Sequence, residues 1–232
     1  MKIWAISDLH LSLMVEKPMD VFGGAWENYI DKIKENWQKV VKKEDIVLIA
    51  GDISWAMKLE ETKADFEFID KLNGKKIIIK GNHEYWWKSI SAVREVLPDS
   101  IMAIQNDSIK IGDYIICGTR GWTVPEENKE FLPEDEKIYK REVERLKLTL
   151  KSAKVLQENN EKIICMMHFP PFDGSGNESE FTKLFEEFGV SVVVFGHIHG
   201  YTNCKLIQTK NDITYYFTSC DHIKNDPVEI QI

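Results

Sequence analysis

The chain has 232 residues, 43% of them hydrophobic and 29% charged, with a formal net charge of −8 and an isoelectric point near 5.4. That length and apolar content suit one soluble domain with a sizeable core. The acidic balance disfavours a long nucleic acid as partner, because phosphate backbones are met by basic faces.

The first apolar run, KIWAIS at 2–7, predicts a strand. Residues 25–43 follow, with Trp26, Ile30, Ile33, Trp37 and Val40 at helical spacing and Lys and Glu between them. DIVLIA at 45–50 predicts a second strand, 58–73 a second helix, KIIIK at 76–80 a third strand, and 87–97 a helix that stops before Pro98. IMAIQN, SIKIG and YIICGT read as short strands, with Gly112-Asp113 as a hairpin turn. The loop 123–134 can overhang a site as a lid. Residues 135–157 then predict a charged, solvated helix packed on the sheet, with Glu136 and Lys140 as an i,i+4 pair and an apolar stripe of Ile138, Val143, Leu146 and Leu150. KIICMM at 162–167 and VSVVVF at 190–195 predict two more buried strands, and CKLIQT and ITYYFTS an antiparallel pair. Strands alternating with helices imply an α/β fold with buried, partly parallel strands. No linker divides the chain, so residues 1–232 are expected to form one domain with a helical insertion at about 126–158.

The opening MKIWAISDLH reaches polar residues before any apolar core, unlike a secretory leader, and runs such as VVVF are far too short to cross a bilayer. The scattered cysteines, Cys117, Cys165, Cys204 and Cys220, read as reduced thiols. The expected compartment is therefore the cytoplasm.

Five apolar runs end in residues that ligate metals. Asp8-Leu9-His10 follows the first, Gly51-Asp52 the second, Gly81-Asn82-His83-Glu84 the third, His168 the fourth and Gly196-His197-Ile198-His199 the fifth. Five of the six histidines lie at these ends, and oxygen and imidazole donors suit hard to borderline metals. In open α/β sheets, ligands bind at the carboxyl ends of strands. The two-residue spacing of Asp8 and His10, and of His197 and His199, predicts that an extended backbone turns each pair to one side. Any one of these features is common alone, as a turn or a hydrogen-bonded histidine. Five together would need independent accidents at five strand ends.

Other residues carry weaker signals. Cys165 and His168 have the spacing of a zinc hook, but a strand points them to opposite faces, so a core thiol is the better reading. Cys220-Asp221-His222 lacks a partner motif and reads as a surface loop. Arg120, in GTRGW, can clamp a substrate phosphate or serve a structural salt bridge. Trp55, Tyr85, Trp86, Trp87 and Trp122 fall near the motifs, where packing competes with stacking on a nucleobase.

The ordered pattern D-x-H, GD, GNH[DE], H and GH-x-H, complete here from residue 8 to 199, resembles the calcineurin-like metallophosphoesterases, and within them the small bacterial-type phosphohydrolases. The resemblance implies a four-layer sandwich of two mixed β-sheets flanked by helices. It also implies two divalent or transition metal ions, with Mn, Fe or Zn expected. One would be held by Asp8, His10 and His199 and the other by Asn82, His168 and His197, with Asp52 bridging. The implied reaction is hydrolysis of a phosphate ester by a metal-bridging hydroxide, with His83 beside the leaving group and Glu84 orienting it. Two divalent ions carry four positive charges and the carboxylates of Asp8 and Asp52 return two, so the centre stays positive and suits a phosphate.

The expected substrate is a small phosphorylated molecule, a phosphodiester or something nucleotide-like, with no membrane partner. Protein Ser/Thr phosphatases of the family carry an arginine shortly after the second motif, and GDISWAMK has none. Two alternatives stay open. A nuclease would use the same centre but need a basic groove, and no Lys/Arg cluster stands near the motifs in the sequence. A catalytically silent metal-binding scaffold would have lost ligands or the catalytic histidine, and this chain keeps both.

Overall fold

Two β-sheets stack face to face, each assembled from the apolar runs. The computed structural model describes residues 1–127, 129–200 and 202–232. In the first sheet β1 (Ile3–Ile6), β2 (Ile46–Ile49), β3 (Lys75–Ile78) and β4 (Ile101–Ala103) run parallel and adjacent. In the second, β5 (Ser108–Ile111) and β6 (Tyr114–Thr119) form the hairpin predicted around Gly112-Asp113. From β6 the sheet continues in parallel through β7 (Lys162–Met167) and β8 (Val190–Phe195) to β10 (Ile213–Phe217), and β9 (Ile207–Lys210) closes the far edge antiparallel. A last strand, β11 (Val228–Ile230), pairs antiparallel with β1 and ties the C-terminal segment to the first sheet. Its short VEI carries no strand pattern of its own.

Strand alternation sorts the core into three apolar layers. Ile3, Ala5, Ile46, Leu48, Ile77, Ile116, Ile164 and Val192 meet between the sheets. Trp4, Ile6, Val47 and Ile49 face the other way, onto α1 (Tyr29–Val40) and α2 (Lys63–Asp70), with α3 (Ile90–Val96) alongside. Ile115, Cys117, Ile163, Cys165 and Met167 face α4 (Pro133–Leu156) and α5 (Glu180–Phe188). This is the expected four-layer sandwich of two mixed sheets. Cys165 is a fully buried free thiol, as its strand position requires.

The predicted charged helix is α4, and Lys140 and Glu136 pair at 2.6 Å. Its solvated character holds for one face only. Glu142 is 0% exposed, drawn inside by ion pairs described below. Of the loop expected as a lid, Thr123, Val124 and Glu126 line a small cavity with His197, and Asn128 lies outside the described residues. Among the described residues no helix is long and apolar enough to cross a membrane.

The ligand-bearing strands do not all neighbour one another. β1, β2 and β3 belong to one sheet and β7 and β8 to the other. Their carboxyl ends converge because the sheets stack with these edges together.

Candidate metal centre

Three of the five loops, those after β1, β2 and β8, leave their strands by sharp, strained turns. Asp8, His10, Asp52 and His197 all have positive φ, between 44° and 77°, a conformation uncommon for residues with a Cβ and concentrated at functional sites. Gly51 (φ +91°) and Gly81 let two loops touch, since a Cβ on Gly51 would come within 2.8 Å of the His168 ring and 2.9 Å of Gly81.

These turns gather two clusters. Asp8, His10 and His199 present ligand atoms within 4.8 Å of one another, and so do Asp52, His168 and His197. The Asn82 Oδ1 lies 2.7 Å from His168 Nε2 and 2.9 Å from His197 Nδ1, so it joins the second cluster. Asp52 stands between the clusters, its Oδ2 at 3.3 Å from His168 Nε2 and 3.8 Å from His10 Nε2.

The donor set fits cations. His168 Nδ1 donates to the Ala50 carbonyl at 3.0 Å, because a carbonyl only accepts, and this turns Nε2 toward the oxygens of Asn82 and Asp52. In the first cluster the Nε2 atoms of His10 and His199 face each other at 3.2 Å, and His10 Nδ1 is buried with no hydrogen-bond partner among the described residues. Burial lowers the pKa of both His10 and His197 to about 3, so both rings are neutral with free lone pairs, the form that ligates metal. Burial also works to lower His168, but the carboxylates of Asp52, Asp8 and Glu84 outweigh it and raise it to about 9. Neutral imidazoles beside two carboxylates, with a proton held on His168 by that negative charge, form a site that a cation completes in place of the proton.

Around the clusters sit residues that hold the ligands in place. Ser219 Oγ donates to Asp8 Oδ2 at 2.7 Å, and the backbone N–H of His197 reaches the same oxygen at 3.0 Å. Asp221 accepts from His199 Nδ1 at 3.0 Å. Asp221 is thus no bystander on a surface loop. It is 7% exposed at its side chain and fixes the tautomer of a candidate ligand. The tail segment lies outside the motifs in sequence, and the β8–β10 pairing together with the Ser7–Ser219 bridge to the end of β1 brings it here.

Several sequence readings change. The backbone is not extended at the two-residue pairs, because Asp8, His10 and His197 have positive φ. Asp8 and His10 nevertheless share one cluster, while His197 and His199 fall in different ones. Glu84 does not orient His83. Its carboxylate is buried and accepts four backbone N–H groups, from Gly81 (2.5 Å) and Asp52 (3.0 Å) on Oε2 and from Ile53 (2.6 Å) and Ser54 (3.4 Å) on Oε1. His83 Nδ1 has no partner among the described residues. Burial and the Asp52 charge push the Glu84 pKa up, but only its ionised form can accept all four N–H groups.

Arg120 is not brought to the clusters either. Its guanidinium pairs with Glu142 at 3.4 Å, stacks on Trp122 and lines a cavity that contains none of the candidate ligands. Of the aromatic residues near the motifs, Trp86 and Trp87 are core, and Trp55 reaches the site, stacked on His10 at 4.8 Å. Trp26, expected in a helical stripe, instead sits in a 3₁₀ turn with its ring 5.4 Å from His199.

Comparison with known proteins agrees with this geometry. No curated protein sequence matches the chain significantly. Solved structures similar in fold include a protein of unknown function from Aquifex aeolicus (15% identity, 98% of this chain and 95% of that one, TM-score 0.53). The phosphopantetheinyl hydrolase of Mycobacterium tuberculosis is similar at 13% identity, with 99% and 95% covered and a TM-score of 0.57. A protein of Thermus thermophilus is similar at 11% identity, with 99% and 97% covered and a TM-score of 0.60. The family profile for calcineurin-like phosphoesterases matches residues 1–201, a span that holds all five strand-end motifs and both ligand clusters. By its sequence and by the sheets that carry those motifs, this chain belongs to the calcineurin-like phosphoesterase family.

Proposed function

We propose that this chain is a dinuclear metal-dependent phosphoesterase acting on a phosphodiester or nucleotide-like small molecule in the cytoplasm. The observation that carries the reading is Asp52, one carboxylate oxygen within 3.8 Å of imidazole nitrogens from both clusters. Asp8, His10 and His199 would hold one ion, and Asn82, His168 and His197 the other, with Asp52 shared; Mn, Fe and Zn all suit these donors. Two such ions, when bound, acidify water and polarise phosphoryl oxygens.

The chain's own residues supply the rest. His83 is the strand-end imidazole that belongs to neither cluster. Its side chain is 32% exposed, its Nε2 lies 3.9 Å from Asp52 Oδ2, and its backbone N–H donates to Asp52 Oδ1 at 2.9 Å. That position suits a proton donor to the leaving oxygen. Burial lowers its pKa, and an anionic substrate beside it is the counter-charge that raises it again. His10, His83 and His199 open into a cleft of about 580 Å³ whose other walls are largely apolar, with Met19, Phe22, Trp26 and Trp55. An ester with a flat or apolar group fits such walls better than a second charged group does.

The decisive experiment is hydrolysis of bis(p-nitrophenyl) phosphate and of the p-nitrophenyl monoester by Mn²⁺-loaded protein, with Asp52→Asn as control. Diester cleavage that vanishes in the variant supports the reading, and monoester preference redirects the search to phosphorylated metabolites. Turnover of neither would remove the enzymatic claim. His83→Ala is expected to lower the rate by ~10²–10⁴-fold while metal content by elemental analysis stays unchanged, an outcome that a silent scaffold does not share.

A further inference from the structure

Next to the ligand loops lies a second cavity, of about 230 Å³. Lys80, Lys88, Arg120, Arg141 and Arg145 line it, with Glu142 as the only carboxylate among the described residues of its wall. They come from the end of β3, the loop after it, the end of β6 and the middle of α4, so no basic run appears in the sequence. In a chain with a net charge of −8, five cations around one carboxylate are a marked local reversal.

Glu142 does not neutralise them. Its Oε1 is shared by Arg145 at 2.7 Å, Arg141 at 3.3 Å and Arg120 at 3.4 Å, and its Oε2 accepts from the Thr119 hydroxyl at 3.2 Å. Lys80 Nζ donates to the Trp87 carbonyl at 2.8 Å, and Lys88 is exposed. The Arg120 Nε is buried and has no hydrogen-bond partner among the described residues. One carboxylate shared among three guanidiniums leaves the cluster with excess positive charge and an orphan donor.

Size narrows the ligand. The volume is several times the ~30 Å³ share of a water molecule but below the ~300–1,000 Å³ of pockets that enclose nucleotide-sized ligands. We infer that this cavity is a binding site for a compact phosphate-type oxyanion, separate from the metal centre. It is built into the supports of that centre. Lys80 precedes Gly81 and Asn82 directly, and the Arg120 carbonyl accepts the N–H groups of His168 and Phe169, both at 3.0 Å.

The test is calorimetric titration of inorganic phosphate into the chelator-treated Asp52→Asn chain, with ionic strength held by chloride, so that binding at a metal centre does not contribute. One saturable site is expected. Lys88→Ala and Arg141→Ala, both exposed positions, should each weaken it roughly tenfold, the scale of one charge-assisted hydrogen bond, with the thermal midpoint of Lys88→Ala in phosphate-free buffer unmoved. His83→Ala should leave the affinity unchanged. Phenyl phosphate as a second titrant separates the sources: equal affinity assigns the site to the outer phosphate of a larger molecule, and weaker affinity assigns it to free orthophosphate. Absence of saturable binding, or binding indifferent to both cation substitutions, overturns the inference. That result would leave the phosphoesterase reading intact, because diester hydrolysis tests it independently.

Discussion

Asp221 and Asp45 show how single carboxylates act at a distance from chemistry. With Asp221 accepting from His199 Nδ1, the Nε2 lone pair stays directed at Asp8 and His10, and such outer partners typically contribute 10–100-fold in metal affinity. Asp221→Asn should therefore weaken one of two Mn²⁺ sites by about that factor in a competition titration, leaving the other site at its original affinity. Asp45 is buried and accepts from Lys2 N (2.7 Å), Lys42 N (2.9 Å) and Trp4 Nε1 (3.1 Å). Burial alone would raise its pKa, but these three donors overcome it and hold the carboxyl below its ordinary value. A depressed folded pKa means that the stabilisation is present above the unfolded value, ~3.9, and is lost as pH falls through the folded one. Asp45→Asn should accordingly cost about 1–3 kcal/mol in urea unfolding at pH 7, and the gap from the parent protein should shrink below about pH 4.

At the scale of elements, Glu84 joins two loops that share no strand pairing of their own. Both oxygens are engaged by backbone N–H groups of Asp52, Ile53, Ser54 and Gly81. An amide in its place presents NH₂ to two of those four donors whichever way it turns. Glu84→Gln should therefore cost about 2–4 kcal/mol, read as a lowered urea midpoint. A residue that only oriented His83 would instead alter the pH profile of turnover at nearly unchanged stability. The strands themselves were legible. Runs such as DIVLIA and KIICMM carry enough β-branched and apolar residues to be buried on both faces, and ten of the eleven strands among the described residues fall on segments so read. β11 escaped because its VEI is too short to show alternation, and its pairing with β1 arises from the far end of the chain.

For the whole molecule, the candidate centre bridges the two sheets. Asp8, Asp52 and Asn82 follow strands of the first, and His168, His197 and His199 follow strands of the second. Metal binding should then stabilise the sandwich as a unit. At about 100-fold excess over the dissociation constant, linkage gives ~2.7 kcal/mol, or roughly 5–10 °C in melting midpoint for a chain of this size. Calorimetry with Mn²⁺, then with chelator, should show the rise and its reversal, and Asp52→Asn should show little of either.

Period and residue type are properties of the sequence itself, and they determined the α/β class, the buried strands and the donor-type residues at five strand ends. Tertiary structure decided what depends on which ends meet. Asp221 reaches His199 because β10 follows β8 in the sheet. Lys80, Lys88, Arg120, Arg141 and Arg145 surround one cavity because α4 lies across the second sheet beside the end of β3. Local pattern records which face of an element is apolar. Long-range placement of charge is fixed only when those faces have been buried against one another.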